Sequence, residues 1–391
     1  MSQMSQGVAA GRPQPQTTVE APGGPFLRHT QQGRRTQYNV SSVALGGLVA
    51  NPLVAAPGYT KGYRVKIIAS GGTGTATLAT INDTPGSIAS LVQLKDSFGT
   101  PLIVGPGYET LQLLQLYGGQ FGMDTVANVI NLPTSSAVST ATGSAGNFTL
   151  STYLPLEFAK AYGVISSANA SLLPTLQFNV AASGSFFTAA PSLLPTLQFV
   201  VDQDFYWLPE GVSVEPPGVG TTCQWIYQPA NPTIGSAATT QVQLPRLGGY
   251  LTTIIADMRD SNGFRTDSYP SAGNRLRFLV DGVPLLDTDI TTLYDDLAIQ
   301  FGIGAGFNAN ATTNLNTRPS GTVAISRKQS LGQQSNGLFD TGEQFLSTNP
   351  GTQIEFAAAP WGSVATAPAT LNALCGQVVP SGALIQGLPE V

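Results

Sequence analysis

Histidine, cysteine and paired carboxylates build most active sites, and this chain holds few arrangements of them. It has one histidine, His29, and two cysteines, Cys223 and Cys375. A metal centre built on imidazole or thiolate needs several such ligands converging, so none is expected from one chain. Two isolated cysteines make no disulfide framework and read as small buried side chains. A Ser-His-Asp triad would have to draw His29 out of the N-terminal segment, and no Gly-x-Ser-x-Gly elbow occurs. Carboxylates remain, since glycoside hydrolysis needs only a pair. The candidates are Asp202 with Asp204, Asp287 with Asp289, and Asp295 with Asp296. Asp295 and Asp296 fall beside an apolar helical stripe and read as its solvated face. Asp202 and Asp204 precede Phe205-Tyr206-Trp207, a group that could stack a sugar but more often anchors a core or an interface. Gly302-Ile-Gly304-Ala-Gly306 follows a helix rather than opening one, so it reads as a stop and loop, not a phosphate cradle. The expectation is no catalytic residue, no cofactor and no metal.

The elements that would carry such groups are β-strands. In Gly62–Ser70, Tyr63, Val65 and Ile67 alternate with Arg64 and Lys66; in Asn274–Val280, Leu276, Phe278 and Val280 alternate with Arg275, Arg277 and Leu279. Leu154, Leu156 and Phe158 share the same period of two. These are strands with one buried face, separated by Gly, Pro, Asn and Ser clusters as in sandwiches. Two stretches have helical period instead: Ile290, Leu293, Tyr294 and Leu297, with Asp289 as N-cap, and Tyr108, Leu111, Leu114 and Leu116, stopped by Gly118-Gly119.

Several segments recur in order. Gly62-Tyr-Arg-Val-Lys-Ile-Ile-Ala-Ser returns as Gly249-Tyr-Leu-Thr-Thr-Ile-Ile-Ala-Asp. Gly99-Thr-Pro-Leu-Ile returns as Gly282-Val-Pro-Leu-Leu, each running into a helix that reaches Gln-Phe-Gly, at Gln120 and at Gln300. Glu157-Phe-Ala returns as Glu355-Phe-Ala. The order implies a duplicated unit the size of a whole β-sandwich. A second, local repeat places Ser-Leu-Leu-Pro-Thr-Leu-Gln-Phe at 171–178 and at 192–199, which predicts two neighbouring strands, each starting after its proline.

Composition agrees with two cores. The chain has 391 residues, beyond the roughly 250–300 at which single cores stop growing. Forty-two per cent are hydrophobic but only 10% are charged, against about 25% in an ordinary soluble domain. Net charge is −5, without the dense basic field of a nucleic-acid binder. Stretches 125–156 and 161–201 hold no charged residue, the signature of surface hidden against other copies. Residues 1–37 differ: a polar, basic arm with Arg12, Arg28, Arg34 and Arg35 against Glu20 alone. It is either a solvated terminus or a tail touching an anionic surface, membrane or nucleic acid. Met1–Gln16 lacks the apolar run of a signal peptide, and 43–57 is too short and interrupted for a membrane span, so a soluble product made in the cytoplasm is expected.

Duplication, a helix inserted in each half within 99–122 and 282–302, and the polar arm together resemble the double jelly-roll major capsid proteins of tectivirus-like, membrane-containing icosahedral viruses, bacteriophages among them. The resemblance covers about residues 38–391. It implies an all-β chain of two tandem eight-stranded jelly rolls, each with a short inserted helix. The domains would be the arm 1–37, a first jelly roll over 38–200 and a second over 201–391, with a connecting segment of about 201–240. It further implies a non-enzymatic structural subunit, trimerising into pseudo-hexameric capsomers over an internal membrane. Its partners would be itself, minor or vertex proteins and, through Arg12, Arg28, Arg34 and Arg35 on the inner face, membrane lipid, with no sequence-specific nucleic acid. It would reside in the virion after synthesis in the host cytoplasm. The competing readings are a spike or fibre-like module binding host glycans and a carboxylate-based glycoside hydrolase.

Overall fold

The computed structural model describes residues 24–380 apart from 55–57, 80–82, 118–122, 125–128, 131–137, 159–160, 168–172, 211–213, 218–219, 235–240, 245–248, 261–262, 268–269, 271–273, 302–318, 327–345, 350 and 360–368. The repeated Gln-Phe-Gly at 120, the last residue of that at 300 and the glycines at 302–306 lie outside the described residues.

Eight principal strands form the first unit: β1 Gln31–Val43, β2 Leu48–Pro52, β3 Tyr59–Ser70, β4 Ala89–Lys95, β5 Pro101–Gly105, β6 Phe148–Pro155, β7 Thr175–Val180 and β8 Thr196–Trp207. Eight more form the second: β9 Thr221–Ile234, β10 Gln241–Leu244, β11 Tyr250–Arg259, β12 Arg275–Val280, β13 Val283–Asp289, β14 Thr322–Ser326, β15 Ile354–Ala359 and β16 Ala369–Pro380. The first unit pairs them in the orders β1-β8-β3-β6 and β2-β7-β4-β5. The second pairs them β9-β16-β11-β14 and β10-β15-β12-β13. Adding eight to each label of the first unit gives the second. Every one of these pairings is antiparallel, and each unit is a two-sheet jelly roll.

The alternation read in the sequence decides which faces are buried. Tyr63, Val65 and Ile67 are sealed in while Arg64 and Lys66 are exposed, and Leu276 and Phe278 are sealed while Arg275 is exposed. Gly62–Ser70 and Gly249–Asp257 occupy the same position, β3 and β11. Gly99 and Gly282 both turn the hairpin into the fifth strand of their unit, at φ +84° and +77°. At the second hairpin Asp281 and Gly282 alone connect β12 to β13, both with positive φ, the type I′ geometry that suits Asp-Gly. Each fifth strand leads to a helix. In the first unit this is a π turn at Glu109–Leu113 running into Leu114–Tyr117. In the second it is Ile290–Phe301, whose Thr291 N–H donates to Asp289 Oδ1 at 2.8 Å.

Three readings fare differently. Leu154 and Leu156 are buried, but β6 ends at Pro155 and Phe158 lies beyond it. Glu157-Phe158 follows β6 whereas Glu355–Ala357 lies within β15, so this match does not mark equivalent places. The two octapeptides do not pair: one ends in β7 and the other in β8, on opposite sheets. Their shared Leu-Gln-Phe alternation aims Leu176, Phe178, Leu197 and Phe199 inward from both sides, with Phe178 and Phe199 ring centroids 5.1 Å apart across the sandwich. The proline before each strand sets its start, as the sequence suggested, without dictating its sheet.

Along the chain, β1 begins at Gln31, so the last seven residues of the arm, 31–37, are strand, preceded by a short helix, Gly24–His29. Phe26 of that helix is buried edge-on between Tyr59 and Tyr206, at 5.6 and 5.5 Å. Strand β8 runs through position 200 because Val201, Gln203 and Phe205 continue its buried alternation. Strand β9 occupies 221–234, so the paired strands of the two units span 31–207 and 221–380.

Candidate functional site

The two barrels meet edge to edge. Strand β9, the rim of the second unit, pairs in parallel with β5, the rim of the first, with Trp225 opposite Ile103 and Ile226 opposite Val104. This joins sheets of both units into one nine-stranded sheet. Trp225 is fully buried at the junction, and a Cβ on Gly376 would lie 2.6 Å from its ring; only glycine lets β16 pass so close. The outer face of the second unit is apolar here. Ile255, Leu297, Ala324 and Leu374 belong to the same buried cluster as the first unit's core. Tyr117 Oη and Thr322 Oγ1 lie 2.8 Å apart across the seam.

Beside this apolar contact is a buried ionic cluster. Asp257 and Arg259 alternate with Ala256 and Met258 on β11, which puts them on the face turned to the first unit. Arg259 Nη1 donates to Asp83 Oδ2 at 2.6 Å, Nη2 to Glu109 Oε1 at 2.7 Å and Nε to Asp257 Oδ2 at 2.5 Å. Arg265 Nε donates to Asp83 Oδ1 at 2.7 Å, and its guanidinium stacks 4.3 Å over the Tyr108 ring. The first unit thus supplies Asp83 and Glu109, and the second supplies Asp257, Arg259 and Arg265. Three carboxylates face two guanidiniums, one negative charge too many for a dry site. Burial, reinforced by Asp257 and Asp83 and only partly offset by Arg259, pushes Glu109 up to about 7. Asp257 is raised for the same first reason. Burial also raises Tyr108 and Tyr227, which flank the cluster and stay neutral.

None of these five charged residues stood out in the sequence. They lie far apart in the chain, from Asp83 to Arg265, and no motif joins them.

The candidates that did stand out are dispersed. Arg12 lies outside the described residues. Arg28 is exposed on the Gly24–His29 helix, as is His29. Arg34 and Arg35 are exposed on β1, a sheet rim. Arg34 Nε donates to Asp204 Oδ1 at 2.7 Å and Arg64 Nε to its other oxygen at 2.8 Å, so Asp204 is a clasp between strands. Tyr206 is buried and donates to Glu157 at 2.7 Å, and Trp207 is partly exposed; this aromatic group anchors the helix through Phe26. Asp287 accepts from Arg275 at 2.8 Å, Asp289 caps a helix, and Asp295 and Asp296 are exposed. Cys223 and Cys375 are buried free thiols, and burial pushes Cys375 up to about 12. Among the described residues, no group of three or more His, Cys, Asp and Glu could hold a metal ion, and no helix is long and apolar enough to cross a membrane.

No protein-family model and no curated protein sequence matches the chain. Solved structures do. The STIV major capsid protein shares 15% identity at a TM-score of 0.59, covering 92% of this chain and 100% of that one. A quasi-atomic model of the PBCV-1 virus capsid shares 11% at 0.56, covering 90% and 95%. The Faustovirus major capsid protein shares 9% at 0.54, covering 90% of each. At such identities the likeness concerns the path of the backbone. With the paired barrels above, it makes the chain a double jelly roll, all-β with a short helix inserted in each half.

Proposed function

We propose that the chain is a major capsid protein, a structural subunit of an icosahedral virion. It works as a homotrimer whose six barrels form a pseudo-hexagonal tile. The observation that carries this reading is the construction itself. One eight-stranded barrel occurs twice, the copies are joined rim to rim through β5 and β9, and the rims β1 and β13 at the two ends remain open among the described residues. Such a unit propagates by repeating its own contact. The low charge fits, because surfaces buried between subunits are depleted of charge. The reading requires no catalytic group. Minor or vertex proteins would meet the tile at its outer contacts. The N-terminal residues, Arg12 and Arg28 with Arg34 and Arg35 at their root, would lie on the inner face toward anionic lipid. The full-length chain should elute at three times its 40.6 kDa by size exclusion with light scattering and form hexagonal tiles or shells by electron microscopy. A stable monomer at micromolar concentration overturns the reading.

A further inference from the structure

The same position of the duplicated unit has opposite surroundings in its two copies. Pro101-Leu102-Ile103 in β5 and Pro284-Leu285-Leu286 in β13 match in sequence and in register, Ile103 opposite Leu94 on β4 and Leu286 opposite Phe278 on β12. Leu102 is 2% exposed, where β9 lies alongside; Leu285 is 41% exposed, and Val283 58%. An apolar rim strand with unpaired backbone groups is a template for another strand. What covers β5 is β9, and the strand equivalent to β9 is β1, also a rim.

We infer that β13 of one molecule pairs in parallel with β1 of a second copy, repeating between molecules the β5–β9 junction that joins the barrels within one. This rests on the self-assembly reading above and names its surface. The register follows from the ladders. Trp225 pairs with Gly376 and through it with Thr253, whose repeat equivalent Lys66 pairs with Val200, itself opposite Asn39. Asn39 therefore stands where Trp225 stands, opposite Leu286, and Val40 stands opposite Asp287. Where β9 offers Trp225, β1 offers Asn39. The intermolecular joint is more polar than the internal one, as suits a contact made after folding.

The test uses the full chain carrying Asn39→Cys and Leu286→Cys, oxidised in air with copper phenanthroline; the native thiols are buried and do not compete. The expected result is covalent dimers and trimers on a non-reducing gel, absent from either single variant. Separately, Leu285→Arg, an exposed position, should weaken self-association at least tenfold while circular dichroism keeps its β signature. Chains that assemble but neither cross-link nor respond to Leu285→Arg overturn this surface and leave the capsid reading standing. Chains that never assemble overturn both.

Discussion

At the scale of single residues, Arg259 ties the two barrels together. It holds Asp83 and Glu109 of one unit and Asp257 of its own. Removing one partner of a buried ionic cluster strands the others without compensation. Arg259→Met should therefore cost about 3–5 kcal/mol, read as a lower urea midpoint. Glu109→Gln should act oppositely at high pH, because it removes the surplus negative charge. Folding raises Glu109 from the ordinary 4.5 to about 7, with burial the main cause. The stability from its protonated form is therefore fully present below about pH 4.5 and is lost as pH rises through about 7. The slope across that window approaches about 1.4 kcal/mol per pH unit for one proton. Asp83, Asp257, Arg259, Arg265, Tyr108 and Tyr227 face the group, and burial raises Asp257 beside it. Urea midpoints at pH 5 and pH 8 should differ in the wild type and converge in Glu109→Gln. Equal midpoints in the wild type would mean that the surplus charge is neutralised in another way.

At the scale of elements, the octapeptide repeat makes a sharp case. Placed on opposite sheets, Phe178 and Phe199 meet ring to ring at 5.1 Å. Each truncation to alanine should cost about 3–5 kcal/mol, and a double-mutant cycle should return a coupling of about 0.5–1.5 kcal/mol. Strictly additive costs would place the rings apart. The same repeat shows where sequence reading stops. Leu-Gln-Phe announces which side chains turn inward, because period two is local; which sheet receives the strand is settled by pairing partners distant in the chain. Strands β3 and β12 were legible for that local reason and the inserted helices by their helical period; β11, buried on both faces, was legible only as the repeat of β3, and the duplication was legible because Gly-x-Pro-Leu keeps its turn glycine. Strand β1 was not. As a rim it is exposed along most of its length, with only Tyr38, Val40 and Val43 packed against the core, so Gln31–Gln37 resembles a solvated arm. The seam cluster was illegible because Asp83 and Arg265 become neighbours only when two barrels dock.

At the scale of the whole molecule, the N-terminal segment has two parts that a truncation can separate. Its distal part carries Arg12, whereas its proximal part is structural: Phe26 is wedged between Tyr59 and Tyr206, and β1 completes a sheet against β8. Deleting residues 1–23 should leave the melting transition and the β signature in place. Deleting 1–43 strips β8 of a rim strand and exposes the side chains that Tyr38, Val40 and Val43 cover, so that chain should be recovered as aggregate. Lipid contact calls for a subtler change, since removing 1–23 takes away Arg12 and Glu20 together and leaves net charge unaltered. Arg12→Gln with Arg28→Gln removes two cations and spares both the wedge and the strand. Each cation near an anionic surface contributes about 1 kcal/mol, so the pair should weaken binding to phosphatidylglycerol vesicles by roughly ten- to thirtyfold. The difference should vanish on phosphatidylcholine and shrink in high salt, where charges are screened within a few ångströms. If the double variant binds anionic vesicles as the wild type does, the basic residues serve protein contacts instead, and the open β1 rim with Arg34 and Arg35 is where those contacts would be sought.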